Sequence, residues 1–343
     1  MEAQQLGGRK REREADPEEE FPLLPITSAA TVRKCATLPL RETDVFVCSF
    51  PKSGTTWMQH IVHTLATDGE SPLPHISDAC PFFEVDRTWA IGDEPVLAEV
   101  VQSNHEKISR RIFNTHLRWC MMPRDHAGAR YVYMTRRAVD ACVSFYHHLS
   151  HQAEEDGGFA GTQAEFVKEW TEGRAPFGSW SAHLRSWVGE AAPSDARVLV
   201  VSYEDLRADP RAQVRRVNAH CGFGLSDARI DELLPRFEFA WMRTHEAAFN
   251  PRSVRWVERA AASGAAGAAG AAGAAGGSEQ PPPSKEERAE EEEAVKPFHF
   301  IRAGRVGDGE RAFGPAERES LRAMAARTFP DAALPEYILK LLR

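Results

Sequence analysis

Asp44-Val45-Phe46-Val47-Cys48-Ser49-Phe50 is a short apolar run with β-branched and aromatic residues. It reads as a buried strand. It passes directly into Pro51-Lys52-Ser53-Gly54-Thr55-Thr56, after which Trp57, Met58, Ile61, Val62 and Leu65 recur at helical spacing. Strand, tight polar turn, helix is the order of a phosphate-binding βα unit. Backbone N–H groups at the start of such a helix, with the helix dipole behind them, form an anion site. Gly54 lets the backbone approach the ligand, Ser53, Thr55 and Thr56 add hydroxyl donors, and Lys52 adds a point charge. The nucleotide P-loop pattern GxxxxGK[ST] is absent, because here the Lys precedes the Gly. That order argues against a P-loop kinase.

Outward from this unit, further strands are predicted at 111–114, 129–134 and 198–203, with helical patterns at 138–149, 163–172 and 179–188. Pro210 opens another helix, with Asp209 placed as its N-cap. Strands alternating with helices imply an α/β fold: a single domain around a central, mostly parallel sheet.

Composition narrows the class. The chain has 343 residues and a net charge of −8. Residues 1–20 hold seven acids against four bases, and 278–296 hold seven acids against three bases. These two stretches carry nearly all the excess acid, so the remaining body is close to neutral. No basic face argues for nucleic acid. Residues 1–24 read as a disordered charged tail. Residues 260–296, an Ala/Gly repeat followed by Pro281-Pro282-Pro283 and an acidic block, read as an insertion that cannot bury a core. The domain is therefore expected over 25–343, interrupted by that insertion. No apolar run is long enough to span a membrane, and the charged N-terminus does not resemble a signal peptide. The six cysteines are scattered with no C-x-x-C pair. That suits a reducing, cytoplasmic setting and argues against a zinc or disulfide framework.

The octet from Phe50 to Trp57, FPKSGTTW, closely resembles the 5′-phosphosulfate loop of cytosolic sulfotransferases. Further pieces match in the family's order: 135–144 (TRRAVDACVS), 201–206 (VSYEDL) and 300–308 (FIRAGRVGD). The resemblance implies the cofactor 3′-phosphoadenosine 5′-phosphosulfate (PAPS), its product PAP, and no metal. It assigns Arg136, Ser144, Arg302, Ala303 and Gly304 to the 3′-phosphate, and Trp57, Tyr203, Phe239 and Met242 to the adenine. It makes His116 the general base and gives Lys52 the charge on the leaving phosphate oxygen. Phe82, Phe83 and His148 fall where relatives line the pocket for a small acceptor. Taken singly, Arg136 also fits a surface salt bridge with Asp140, and a lone His is usually structural; the order of motifs is what favours the site.

The pattern breaks in places. Asn114 stands where many relatives have Lys, Ala303 replaces the Lys of RKG, and Gly309 replaces a Trp. A catalytically weak PAPS- or PAP-binding relative, acting in binding or as a scaffold, is the alternative these changes leave open. The family's dimer motif falls on Glu310, Gly314, Pro315 and Glu319, and only the last matches. Monomer and homodimer both remain open.

Overall fold

The computed structural model describes residues 21–71, 74–125, 128–257, 299–302 and 304–328. The N-terminal residues 1–20, the 260–296 insertion and Ala303 lie outside the described residues. Four parallel strands form one sheet in the order β2-β1-β3-β4. They are β1 (Val45–Ser49), β2 (Ile112–Thr115), β3 (Arg130–Thr135) and β4 (Val198–Ser202), within a residue or so of the runs read from sequence. The helices that matter for the site are α1 (Thr55–Ala66), α2 (Ala138–Leu149), α3 (Tyr203–Ala208) and α4 (Pro210–Cys221). They are followed by α5 (Phe239–Thr244), α6 (Asp308–Ala312) and α7 (Pro315–Thr328).

Alternation along each strand divides the interior into two cores. Val45, Val47, Val132, Met134 and Val201 pack with Met58 and Ile61 of α1 and Val214 and Val217 of α4. Phe46, Cys48, Phe113, Tyr131 and Tyr133 face the other way, toward Val143, Trp170 and Trp187. Register places Phe46 between Phe113 and Tyr131. The three rings stack at 5.2 Å between neighbours, tilted by 18° and 16°. An aromatic row thus crosses three strands and fixes their pairing.

Local signals set the helix ends. Asp209 accepts from Ala212 N at 3.0 Å and Pro210 occupies the first turn, as expected. Gly222, at φ 63°, closes α4 in the left-handed conformation. The helix expected over 179–188 is not regular. It is α-helical only over Trp180–Leu184 and continues in π-type turns over Arg185–Ala191. Those wider turns bring Ser186 and Trp187 onto the loop after β2, where Ser186 Oγ accepts from Trp119 N and Trp187 Nε1 donates to Leu117 O. The boundary of the N-terminal tail also moves. Leu24 is buried in the core, Pro22 O accepts from Phe177 N at 2.9 Å, and Phe21 packs edge-on against Phe177.

The chain leaves β1 toward β2 on one side and returns to place β3 on the other. Between β1 and β3 the connections diverge, which opens a crevice beyond the carboxyl ends of those strands. Lys52 follows β1 and Arg136 follows β3, so both arrive at that crevice.

Candidate active site

The turn after β1 is held in an unusual conformation. Lys52 has φ 65° and Gly54 has φ 94°. The left-handed region is costly for a side-chain-bearing residue, and strain of this kind concentrates at functional turns. A Cβ on Gly54 would lie 2.8 Å from Tyr203 Cδ2 and 3.2 Å from Met134 Cε. The Tyr203 ring therefore sits directly on the turn, and only glycine fits beneath it. Gly54 offers no side chain to cap α1, so first-turn N–H groups remain for an anion or water. Thr55 Oγ1 and Ser49 Oγ share a hydrogen bond of 2.6 Å.

Around this turn lies a cavity of about 440 Å³. Of the predicted residues it collects Lys52, Gly54, Thr55, Thr56, Trp57, Arg136, Ser144, Tyr203, Phe239, Met242, Arg302 and Gly304. His116, His148 and Phe82 line it too. Two residues expected there do not. Ser53 does not line the cavity; its buried hydroxyl has no hydrogen-bond partner. Phe83 belongs to the core, packed on Phe46, Trp89 and Phe113 with ring centroids 4.9–5.4 Å away. Phe82 bridges to Asn114 as an extra extended residue beside β2, so its neighbour Phe83 faces the other way.

Arg136 is buried, with its guanidinium 4.5 Å over the Tyr203 ring. Its Nη1 donates to Lys52 O at 2.9 Å and its Nη2 to Arg305 O at 3.3 Å, while Nε has no partner. Among the described residues no carboxylate pairs with it. Asp140 is occupied elsewhere, accepting from Gly307 N at 2.8 Å and Gly309 N at 2.7 Å. A Cβ on Gly309 would stand 2.3 Å from Val139 O, so the absence of a side chain lets α6 close onto α2. Arg302 pairs with Asp308 at 3.0 Å. Lys52 is pushed down to about 7, first by burial and then by the nearby charges of Arg136 and Arg302.

His116 is oriented from several sides. Its Nδ1 lies 2.8 Å from Ser49 O. A carbonyl only accepts, so Nδ1 carries the proton and Nε2 keeps its lone pair. The backbone N–H of His116 donates to Glu84 Oε1 at 2.6 Å, and its carbonyl accepts from His183 Nε2 at 2.9 Å. Phe82 and Phe177 meet the imidazole edge-on at 5.2 and 5.1 Å. Burial lowers its pKa to about 4; the hydrogen bond to Ser49 opposes that shift and the charge of Lys52 adds to it. Glu84 is raised to about 8 by burial, against the hydrogen bonds from His116 N and Thr115.

Aromatic rings form a further part of the cavity lining. Trp57 Nε1 donates to Phe237 O at 2.8 Å, and its ring meets Tyr203 edge-on at 5.6 Å. The Phe239 ring covers Gly304 so closely that a Cβ there would lie 2.3 Å from Cδ2. Asn114 lines the cavity with its amide donating to Cys80 O at 2.8 Å.

Residues 42–262 match the family model of the sulfotransferase domain. The chain belongs to the sulfotransferase family. The matched span contains the Lys52 turn, His116, Arg136, Ser144, Tyr203, Phe239 and Met242; the Arg302–Gly304 segment lies beyond it. Among relatives, sulfotransferase 1E1 of Homo sapiens is 30% identical over 210 residues, covering 60% of this chain and 68% of the relative. Sulfotransferase 1C2 of Oryctolagus cuniculus is 29% identical over 206 residues, covering 58% of this chain and 66% of the relative, just under two thirds of its length. Among solved structures, retinol dehydratase in complex with androsterone and the inactive cofactor PAP superposes with a TM-score of 0.62. That likeness, at 19% identity over 89% of this chain and 85% of the other, is one of fold.

Four features of this sulfotransferase-family site were not read from sequence: the Ser49 carbonyl, the Glu84 carboxylate, the Phe177 ring and the Phe300 ring beneath Lys52. Two of them lay in stretches with a signal: Phe300 opens the FIRAGRVGD motif, and Glu84 is a lone acid closing the apolar stretch Pro81-Phe82-Phe83. Phe177 sits at φ 69°, a conformation its sequence does not announce.

Proposed function

We propose that this chain transfers a sulfuryl group from PAPS to a hydroxyl or amine of a small, largely apolar acceptor, with His116 as general base. One observation carries the reading. Arg136 is a buried cation beyond the end of β3, held by carbonyls, with an orphaned Nε and no carboxylate partner among the described residues. Such a charge is costly in isolation and calls for an anion. A guanidinium fork suits a phosphate.

The residues present fit PAPS. The glycines at 54 and 304 leave no room for a Cβ, so the rings of Tyr203 and Phe239 close directly over the backbone. A flat apolar slot beside a cluster of Lys52, Arg136 and Arg302 matches a purine joined to phosphates. Arg136, Ser144, Arg302 and the N–H of Gly304 would hold the 3′-phosphate, and Trp57, Tyr203, Phe239 and Met242 the base. When bound, PAPS supplies an activated sulfuryl group whose S–O bond to the 5′-phosphate breaks as the acceptor attacks sulfur.

The chain's own residues supply the rest. His116 Nε2, left as a lone pair by the Nδ1–H to Ser49, takes the proton of the attacking hydroxyl or amine. Its low pKa keeps it neutral at physiological pH. Lys52 brings positive charge to the phosphate oxygen that leaves. Phe82 and Phe177 present apolar surface to the acceptor beside the base. The reading supports a cytoplasmic small-molecule enzyme; among the described residues no helix is long and apolar enough to cross a membrane.

The second reading, a PAPS or PAP binder of weak activity, is favoured by Asn114, whose amide is committed to Cys80 O and brings no charge. Calorimetric titration with PAP, ATP and AMP tests both. We expect PAP to bind well and ATP weakly in wild type and His116→Ala alike, with at least a tenfold loss in Arg136→Ala. An acceptor screen then separates the two readings: His116-dependent sulfonation supports the transferase, and PAP binding without turnover supports the binder. No PAP binding at about 50 µM would overturn both.

A further inference from the structure

Lys52 has only neutral partners among the described residues. Its Nζ lies 3.3 Å from His148 Nδ1 and 4.2 Å over the Phe300 ring. The charged groups that face it, Arg136 and Arg302, oppose its charge, and His116 is its other titratable neighbour. An ammonium can only donate, so Nδ1 of His148 accepts and the proton of that ring sits on Nε2. The ring is walled in. Trp256 and Phe300 meet it edge-on at 5.0 and 5.9 Å, and Phe145 lies tilted at 6.4 Å.

We propose that His148 is a positioning residue: its Nδ1 lone pair, together with the Phe300 face, holds the Lys52 ammonium at the anion cradle before an anion is bound. The argument is steric and electrostatic. The left-handed backbone at Lys52 fixes where its stem begins, but four flexible methylenes do not fix where the charge ends. A lone pair on a ring immobilised by three aromatic neighbours does. A carboxylate in that place would neutralise the lysine and compete with an incoming phosphate; an imidazole nitrogen and a ring face hold the cation without cancelling it. The lone pair stays available at neutral pH, because burial, then the charges of Lys52, His116 and His151, keep His148 well below the usual histidine range. The holding contact stands on geometry alone; its consequence for turnover rests on the sulfuryl-transfer reading.

The test is competitive labelling of Lys52 with isotopic acetic anhydride across pH 5–10, read by peptide mass spectrometry without ligand. In wild type the amine is expected to titrate at about 7, lowered by burial and by the charges of Arg136 and Arg302. Removing the acceptor in His148→Phe destabilises the charged form, so the midpoint moves down by about one pH unit. In His148→Asn, whose Oδ1 approximates Nδ1, most of the shift is restored. An unchanged midpoint in His148→Phe overturns the proposal. Should that variant not fold, imidazole 15N titration decides: Lys52→Met raises the pKa of His148 if the contact exists, and leaves it unmoved if it does not. Calorimetry with PAP on the same proteins keeps the two readings apart. Absent PAP binding alongside the expected labelling shift sinks sulfuryl transfer and leaves the His148 contact standing.

Discussion

His116 and Lys52 are perturbed downward for related reasons, and their order on the pH scale has a kinetic consequence. In the proposed mechanism the imidazole serves as a base when neutral, which holds above about 4. In the same proposal the lysine stabilises a leaving oxygen when charged, which holds below about 7 in the unliganded protein. The value of kcat/KM is therefore expected to rise through about pH 4 and fall through about pH 7, a bell whose alkaline limb belongs to Lys52. A stopped-time sulfonation assay across pH 4–9 checks this; an alkaline limb absent up to pH 9 counts against Lys52. Glu84 runs the other way. Its folded pKa of about 8 lies above the ordinary 4.5, so burial favours the neutral acid. Its contribution to stability is fully present below about 4.5 and is lost as pH rises through about 8. Glu84→Gln removes that titration. We expect the fall in Tm between pH 5 and pH 9 to be smaller in the variant than in wild type, measured by scanning calorimetry.

At the scale of elements, the site depends on how a distant segment docks on α2. Asp140, inside α2, accepts from Gly307 N and Gly309 N, and Gly309 rests on the Val139 carbonyl. That contact carries Arg302 and Gly304 to the cavity. Glu310, where the family's dimer motif begins, instead forms an ion pair with Arg137 within the chain. Gly309→Ala would force a methyl group into the Val139 carbonyl and displace α6. PAP affinity is expected to fall by roughly tenfold while the sheet core stays intact, checked by titration calorimetry alongside near-ultraviolet circular dichroism. Unaltered affinity would mean that Arg302 and Gly304 take no part in holding the 3′-phosphate.

Across the whole molecule, the strand order puts the crevice where connections diverge, and two cores hold it open from opposite faces. Phe46 sits at the centre of the aromatic row that joins three strands. Truncation to Ala leaves a cavity there that neighbouring rings cannot fill, at a cost of about 3–5 kcal/mol. Urea unfolding monitored by tryptophan fluorescence checks this, with a lowered midpoint and an unchanged slope expected. A loss below about 1 kcal/mol would mean that the core re-forms around the gap.

The sequence by itself determined what near neighbours control. The run 44–50, its polar turn and the helical spacing after it produced β1 and α1. Asp209 and Pro210 produced the start of α4, and the apolar period of 138–149 produced α2. Each rests on local sterics, capping or periodicity, which act within a few residues. The motif residues at Lys52, His116, Arg136, Tyr203 and Arg302 were likewise legible, and the fold brings them to one cavity. Only the tertiary structure decided who partners whom. Asp140 lies four residues from Arg136 in sequence and yet binds N–H groups of the C-terminal segment. Phe82 reaches the site and Phe83 the core because Phe82 bridges to Asn114. Ser49, Glu84 and Phe177 orient His116 from three separate parts of the chain. Those arrangements depend on how distant segments cross, and no spacing within one segment records a crossing.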